Sequence, residues 1–278
     1  MVGIDGSPPS MAALDWATDE ARRRGLALHL VHARRGVDGP FRGPAARMAS
    51  TGDQPLLREA AQQTRSIAPD VLITAECAHA GAAAALVRLS RTSDTVVVGA
   101  TGAGRVRGAL LGSVPTQLAA HAQCPCVVVR QSPSSALSRD RILLGVDGSP
   151  SGAAAQYAFA QASLRRLSIT AVHAWWLDPY GGLDRFVPTE ELRRTFLREE
   201  KDAMAAVLAP WRAFYPDVQV QQLLVHGMTV DSLVLRSERA QLVVVGTRGR
   251  GGLRGLLLGS VSQHLLARVD RPVAVVRG

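Results

Sequence analysis

The chain has 278 residues, 47% of them apolar and 4% aromatic, with a formal charge of +9 and three cysteines. That apolar share is ample for buried cores and excludes a disordered chain, while the few aromatic side chains argue against a base-stacking surface. No apolar run is long enough to span a bilayer and the start lacks a basic-then-apolar secretory signal, so the expectation is a soluble cytoplasmic protein with no membrane partner.

The cysteines form neither a disulfide framework nor a redox pair. Cys124 and Cys126 flank Pro125 with one residue between them, and Cys77 stands alone, so all three read as buried or half-buried thiols. The positive charge is spread over both halves, which suits small phosphate-bearing ligands at least as well as nucleic acid. Neither a zinc-finger spacing nor an RNA-binding aromatic motif is present, so no specific nucleic-acid partner is expected.

Taken in order, Val2-Gly3-Ile4-Asp5-Gly6-Ser7-Pro8 reads as a strand end running into a turn, with Ser7 as helix cap and Pro8 at the first helical position. Its counterpart, Arg141-Ile142-Leu143-Leu144-Gly145-Val146-Asp147-Gly148-Ser149-Pro150, has apolar residues upstream that the first copy lacks. The first strand is therefore expected to be short at its amino end, which means either a weaker strand or a chain start upstream of Met1. Helices are predicted over about 10–24 and 151–165. Strands follow at 26–33 and 167–174, both ending in Val-His-Ala, and His32 and His173 read as structural histidines at strand ends.

The regions at about 34–52 and 175–188 are the most divergent between the copies. The second holds Trp175-Trp176, whose expected role is packing. Helices at about 53–67 and 189–209 precede strands near 71–77 and 218–225. Short helices at 81–91 and 229–238 then lead into the Val-rich fourth strands. Last strands are expected at Val127-Val128-Val129 and Val273-Ala274-Val275-Val276, and Gln131 to Asp140 reads as a linker. The expected domains are 1–134 and 139–278, each with five strands alternating with helices. That alternation calls for a mostly parallel sheet covered on both faces.

The fourth strands run into basic, glycine-rich loops. Gly99, Gly102, Gly104 and Gly112-Ser113 repeat at the same spacing as Gly246, Gly249, Gly251 and Gly259-Ser260: two residues between the first two glycines, then nine before the Gly-Ser pair. Glycines there are expected to turn through positive φ and bring backbone N–H groups to an anion, and the Gly-Ser pairs to open helices whose amino ends favour phosphate. Neither loop ends in Gly-Lys-Ser/Thr, and Arg107 and Arg254 occupy the last glycine position of the dinucleotide fingerprint. Arg105, Arg107, Arg248, Arg250 and Arg254 are available to offset phosphate charge.

This duplicated Gly-x2-Gly-x9-Gly-Ser pattern is similar to that of the ATP-binding branch of the universal stress protein family, and the resemblance covers nearly the whole chain in tandem. It implies α/β sandwiches of five mostly parallel strands in the order 3-2-1-4-5, Rossmann-like, with the halves paired. It also implies ATP as ligand. One site would be built from Asp5, Ala33, Gly99, Gly102, Gly104, Gly112, Ser113 and Val114, and the other from Asp147, Ala174, Gly246, Gly249, Gly251, Gly259, Ser260 and Val261. Ala33 and Ala174 replace the family's more usual Val at a backbone contact to adenine. Ala80 against Gly227, and Ala100-Thr101 against Thr247-Arg248, mark the first site as the more divergent.

Magnesium is expected only as an escort of the phosphates near Asp5 or Asp147, because no cluster has dedicated metal spacing. The last strands, near Cys126–Arg130 and Val273–Val276, are candidate edges for pairing of the halves, and a homodimer is left open. The expected function is an ATP-binding regulatory or stress-response module with no catalytic residue assigned. The alternatives are a slow ATPase or phosphoryl-transfer enzyme, and an interaction protein that binds no ATP.

Overall fold

The computed structural model describes residues 1–33, 54–104, 110–130, 139–148, 152–175, 190–249 and 257–278, side chains 192 and 193 excepted. Two compact units result. One is Met1–Ser135 together with Leu266–Arg277, and the other is Ala136–Leu265 with Gly278.

The first unit begins with β1 (Val2–Gly3), α1 (Pro8–Arg24) and β2 (Leu28–Ala33), and continues through α2 (Gln54–Ile67), β3 (Ile73–Ala78) and α3 (Ala82–Leu89). It proceeds to β4 (Val96–Gly99), α4 (Ser113–His121) and β5 (Cys126–Val129). In the second repeat the elements are β6 (Arg141–Gly145), α5 (Ala153–Arg165), β7 (Ser168–Trp175), α6 (Glu190–Phe214) and β8 (Val220–His226). It ends with α7 (Thr229–Ser237), β9 (Ala240–Gly246), α8 (Ser260–Arg268) and β10 (Val273–Val276).

The first five strands lie in the order β3-β2-β1-β4-β5, and the second repeat has the same order, β8-β7-β6-β9-β10. Within each repeat the registered pairs are parallel. Both repeats are thus five-stranded α/β sandwiches of order 3-2-1-4-5. Within the first unit β10 pairs antiparallel with β5, Val273 facing Val128 and Val275 facing Cys126, so the two expected edge strands do meet.

Alternation of Val and Leu runs with helical Ala and Leu stripes accounts for the layers. Parallel strands covered on both faces are apolar throughout: β4 and β5 are buried at every residue. Leu14 of α1 and Leu30 of β2 are fully buried in the first unit, as are Phe159 of α5 and Ile169 of β7 in the second. The expected shortness of the first strand is observed, two residues against five in β6.

Helix ends follow the residues available to cap them. Ser7 caps α1 by accepting from the Ser10 amide at 3.4 Å, with proline in the first turn and Gly25 closing the other end at φ 63°. In α5 the closing position is Arg166, at φ 54°, a left-handed backbone on a residue with a Cβ. Ser149 and Pro150, read from the sequence as the matching cap, lie outside the described residues.

Candidate nucleotide site

Both Gly-Ser pairs open a helix, as the sequence predicts. Gly112 is the N-cap of α4, which starts at Ser113, and α8 starts at Ser260. The long loop returns to its own origin in each repeat. The Gly112 amide donates to the Ala100 carbonyl at 2.8 Å and the Gly259 amide to the Thr247 carbonyl at 2.7 Å. Those amides are committed to closing the loop, so the donors left to face an anion are the next ones in the helix.

In α4 these are the amides of Ser113 and Val114, since Pro115 has no N–H. In α8 they are Ser260, Val261 and Ser262, because intrahelical bonding begins only at Gln263, whose amide reaches the Gly259 carbonyl at 3.1 Å. Ser262 also donates its hydroxyl to the Gly246 carbonyl at 2.6 Å, fastening the end of β9. The first site is thereby the poorer in donors, a difference legible as Pro115 against Ser262 but not drawn from the sequence.

One expectation is overturned. The described loop glycines Gly99, Gly102, Gly104, Gly246 and Gly249 do not adopt positive φ. Gly99, Gly102 and Gly249 are small because something lies against them. A Cβ on Gly99 would stand 2.7 Å from the Pro9 carbonyl carbon and 2.8 Å from the Ser10 nitrogen, and one on Gly102 would run into Asp5 Oδ2. A Cβ on Gly249 would stand 3.2 Å from Asp147 Oδ2. The same Asp-to-Gly approach thus recurs in both repeats, whereas Gly104 has open space around it. The positive φ falls instead on Gly6 (79°) and Gly148 (72°), directly after the two aspartates, where the chain turns from strand toward helix.

Asp5 is held firmly. Its Oδ1 accepts from the Ser7 hydroxyl at 2.6 Å and the Ser7 amide at 3.0 Å, and its Oδ2 accepts from the Ala103 amide at 2.8 Å. Burial pushes the carboxyl's pKa up, but the Ser7 hydroxyl and amide and the Ala103 amide outweigh it and leave the group below its ordinary range. The Ser7 bond is an Asx-turn, and its signal, Asp-Gly-Ser, stands in the sequence twice. Ser7 is therefore more than a helix cap, and the Ala103 contact, 98 residues from Asp5, has no local signal in the sequence.

Ala33 and Ala174 stand at the carboxyl ends of β2 and β7, each partly exposed, in the same tier of their sheets as Asp5 and Asp147. Both neighbouring histidines are structural in the same way. His32 Nδ1 lies 2.6 Å from the Ile4 carbonyl and His173 Nδ1 lies 2.7 Å from the Val146 carbonyl. A carbonyl only accepts, so Nδ1 carries the proton in both, and each ring pins the backbone one residue before the aspartate. His173 adds a contact at 2.8 Å between Nε2 and Glu200 on α6, a partner that no local motif marks.

Of the other predicted residues, Gly251 and Arg105, Arg107, Arg250 and Arg254 lie outside the described residues, and Arg248 is exposed. Trp175 belongs to β7 and not to the loop, buried with its ring 5.6 Å from Phe196 and 4.6 Å from His226, which is the packing role expected. Gly227 takes φ 138°, a backbone that its counterpart Ala80 does not share, so the turns after β3 and β8 differ.

A cavity of about 290 Å³ lies at the other end of the first sheet, lined by Met1, Glu20, Arg24, His29 and Thr95 among others, away from the first glycine loop. Among the described residues no group of three or more His, Cys, Asp or Glu is arranged to hold a metal ion, and no helix is long and apolar enough to cross a membrane.

Comparison with known proteins agrees with this architecture. The profile of the universal stress protein family matches residues 1–130 and again 138–277. Universal stress protein Rv2623 of Mycobacterium tuberculosis H37Rv is 35% identical over 291 residues, covering 100% of this chain and 95% of its own length. A universal stress protein of Mycolicibacterium smegmatis is 36% identical over 292 residues, covering 100% and 96%. Among solved structures, a universal stress protein from Archaeoglobus fulgidus shares the fold with a TM-score of 0.71 at 18% identity, over 100% of this chain and 95% of that one. The chain therefore belongs to the universal stress protein family, with two copies of the family's domain in tandem.

Proposed function

We propose that the protein binds ATP, one molecule per repeat, and acts as a regulatory or stress-response module. The observation that carries this reading is the repeated arrangement at the strand ends: a glycine pressed against a carboxylate (Gly102 on Asp5, Gly249 on Asp147), beside a loop closed onto the start of a helix. The missing side chain lets each aspartate lie against the loop backbone, which fixes the carboxylate where a ligand's sugar or phosphate would meet it. The first-turn amides of α4 and α8, reinforced by the helix dipole and by Ser113 and Ser260, supply donors of the right chemistry for phosphate oxygens. Ala33 and Ala174 would offer backbone groups to the adenine, and magnesium would arrive with the phosphates near Asp5 or Asp147.

What the chain does toward that ligand is hold it. Amide donors and a fixed carboxylate orient a nucleotide, and both named histidines have Nδ1 engaged on backbone carbonyls, which supports a clamping role for them over a catalytic one. The test is calorimetric titration with ATP after stripping nucleotide that co-purifies. Two saturable sites are expected in the parent chain and none in the Gly102→Val, Gly249→Val double variant. A parent that shows no saturable binding refutes the reading, and a double variant that keeps both sites refutes the loop assignment.

A further inference from the structure

Arg130, immediately after β5, has no part in the site described above, yet it grips the segment that leads into it. Its Nη2 donates to the Leu110 carbonyl at 2.8 Å, to the Leu266 carbonyl at 2.9 Å and to the Ala267 carbonyl at 3.0 Å. Its Nε lies 3.9 Å from Asp270 Oδ1. Leu110 stands two residues ahead of Gly112, and Leu266 and Ala267 are in the last turn of α8. All of these residues belong to the first unit.

The arrangement is chemically specific. Carbonyls in the last turn of a helix lack intrahelical donors and carry the negative end of the helix dipole, so a guanidinium is well suited to satisfy them. Nη2 has two hydrogens for three acceptors, so its bonds are shared, and loss of one acceptor shifts it toward the others. The side chain is 19% exposed, which leaves water little room to replace it. The segment entering α4 is thus fastened at two points, the Gly112 amide on Ala100 and the Leu110 carbonyl on Arg130.

We propose that Arg130 is a positioning residue for the phosphate end of the first site, tying Leu110–Ser113 to the last turn of α8. Ligand bound at the α4 amino end and order in Leu266–Asp270 then strengthen each other, since coupling between two events is reciprocal. The ligand's identity rests on the nucleotide reading; the tie itself does not.

The test compares the full-length parent with Arg130→Met and Arg130→Lys by hydrogen exchange, without and with ATP. It adds ATP titration in the Gly249→Val background to isolate the first site and in the Gly102→Val background to isolate the second. Without nucleotide, exchange in both 110–114 and 266–270 should quicken in Arg130→Met. ATP should protect 266–270 in the parent and not in Arg130→Met. First-site affinity should fall about five- to tenfold, within the usual range for such couplings, while the second site is unchanged. Arg130→Lys should fall between, since an ammonium cannot reproduce the fork, and it carries the comparison if Arg130→Met does not fold.

Unchanged exchange at 266–270 in the ligand-free variants, or equal loss at both sites, overturns the proposal. If the parent binds no nucleotide, the functional reading fails, and the ligand-free exchange comparison still decides the role of Arg130.

Discussion

Replacing Gly99 by alanine would place a Cβ 2.7 Å from the Pro9 carbonyl carbon, 2.8 Å from the Ser10 nitrogen and 2.9 Å from the Pro9 oxygen. All three are backbone atoms in the first turn of α1, so no flexible side chain can swing aside, and the helix start must move off the end of β4. Overpacking of this kind costs about 1–3 kcal/mol. Removing a glycine also restricts the unfolded chain, which returns about 0.4–1 kcal/mol. Gly104→Ala supplies the control, because a Cβ there meets nothing within 4 Å and the residue's φ is not positive. The entropic term is common to both variants, so their difference isolates the steric one. At about 2–4 °C per kcal/mol for a unit of this size, Gly99→Ala should melt about 2–12 °C below Gly104→Ala in calorimetric scans. Since Ser10 also hydrogen-bonds the Asp5 amide, at 3.4 Å, the displacement should reach the candidate site. Equal melting temperatures for the two variants would refute the reasoning, because α1 could not then lie this close to β4.

Arg166→Gly should stabilise the second unit by about 0.5–1 kcal/mol in urea unfolding, because glycine takes the left-handed helix-closing conformation without a Cβ penalty; no gain would mean that the αL cap carries no strain. Asp5 should make stability depend on acid. Its folded pKa lies below the unfolded value of about 3.9, so its contribution is complete above that value and fades as pH falls through the folded one. The melting difference between the parent and Asp5→Asn should therefore shrink below about pH 4, and a difference constant from pH 7 to pH 3 would contradict the hydrogen bonds assigned to Asp5. Thiol labelling at pH 8 should modify half-exposed Cys77 first. Burial pushes Cys124 up to about 11 and Cys126 higher still, so both should react only on unfolding. Three equally fast thiols in the native protein would show that β5 is not packed as described.

The repeat, the strand and helix order and the Gly-Ser helix starts were legible because they rest on local signals: Val-rich runs, a turn chemistry repeated at fixed offsets, and an amphipathic return after each glycine loop. The strand order came through resemblance. The role of the glycines did not come through. From the sequence a glycine-rich loop is equally a place for positive φ and a place for close approach. Only the positions of Pro9, Ser10 and Asp5 against Gly99 and Gly102 separate the two. Ser7 reads as a cap from the sequence because capping is a local property, while its bond to Asp5 depends on the turn at Gly6.

By itself, then, the sequence determined a duplicated α/β chain with a glycine loop after each fourth strand and an aspartate after each first, because those features depend on neighbours within a few residues. Tertiary structure decided which groups those elements bring together. The Ala103 amide reaches Asp5 from 98 residues away, and the Arg130 guanidinium reaches Leu266 from 136. Contacts of that separation leave no periodic trace in the chain; they arise only when the sheet order sets the ends of distant strands side by side.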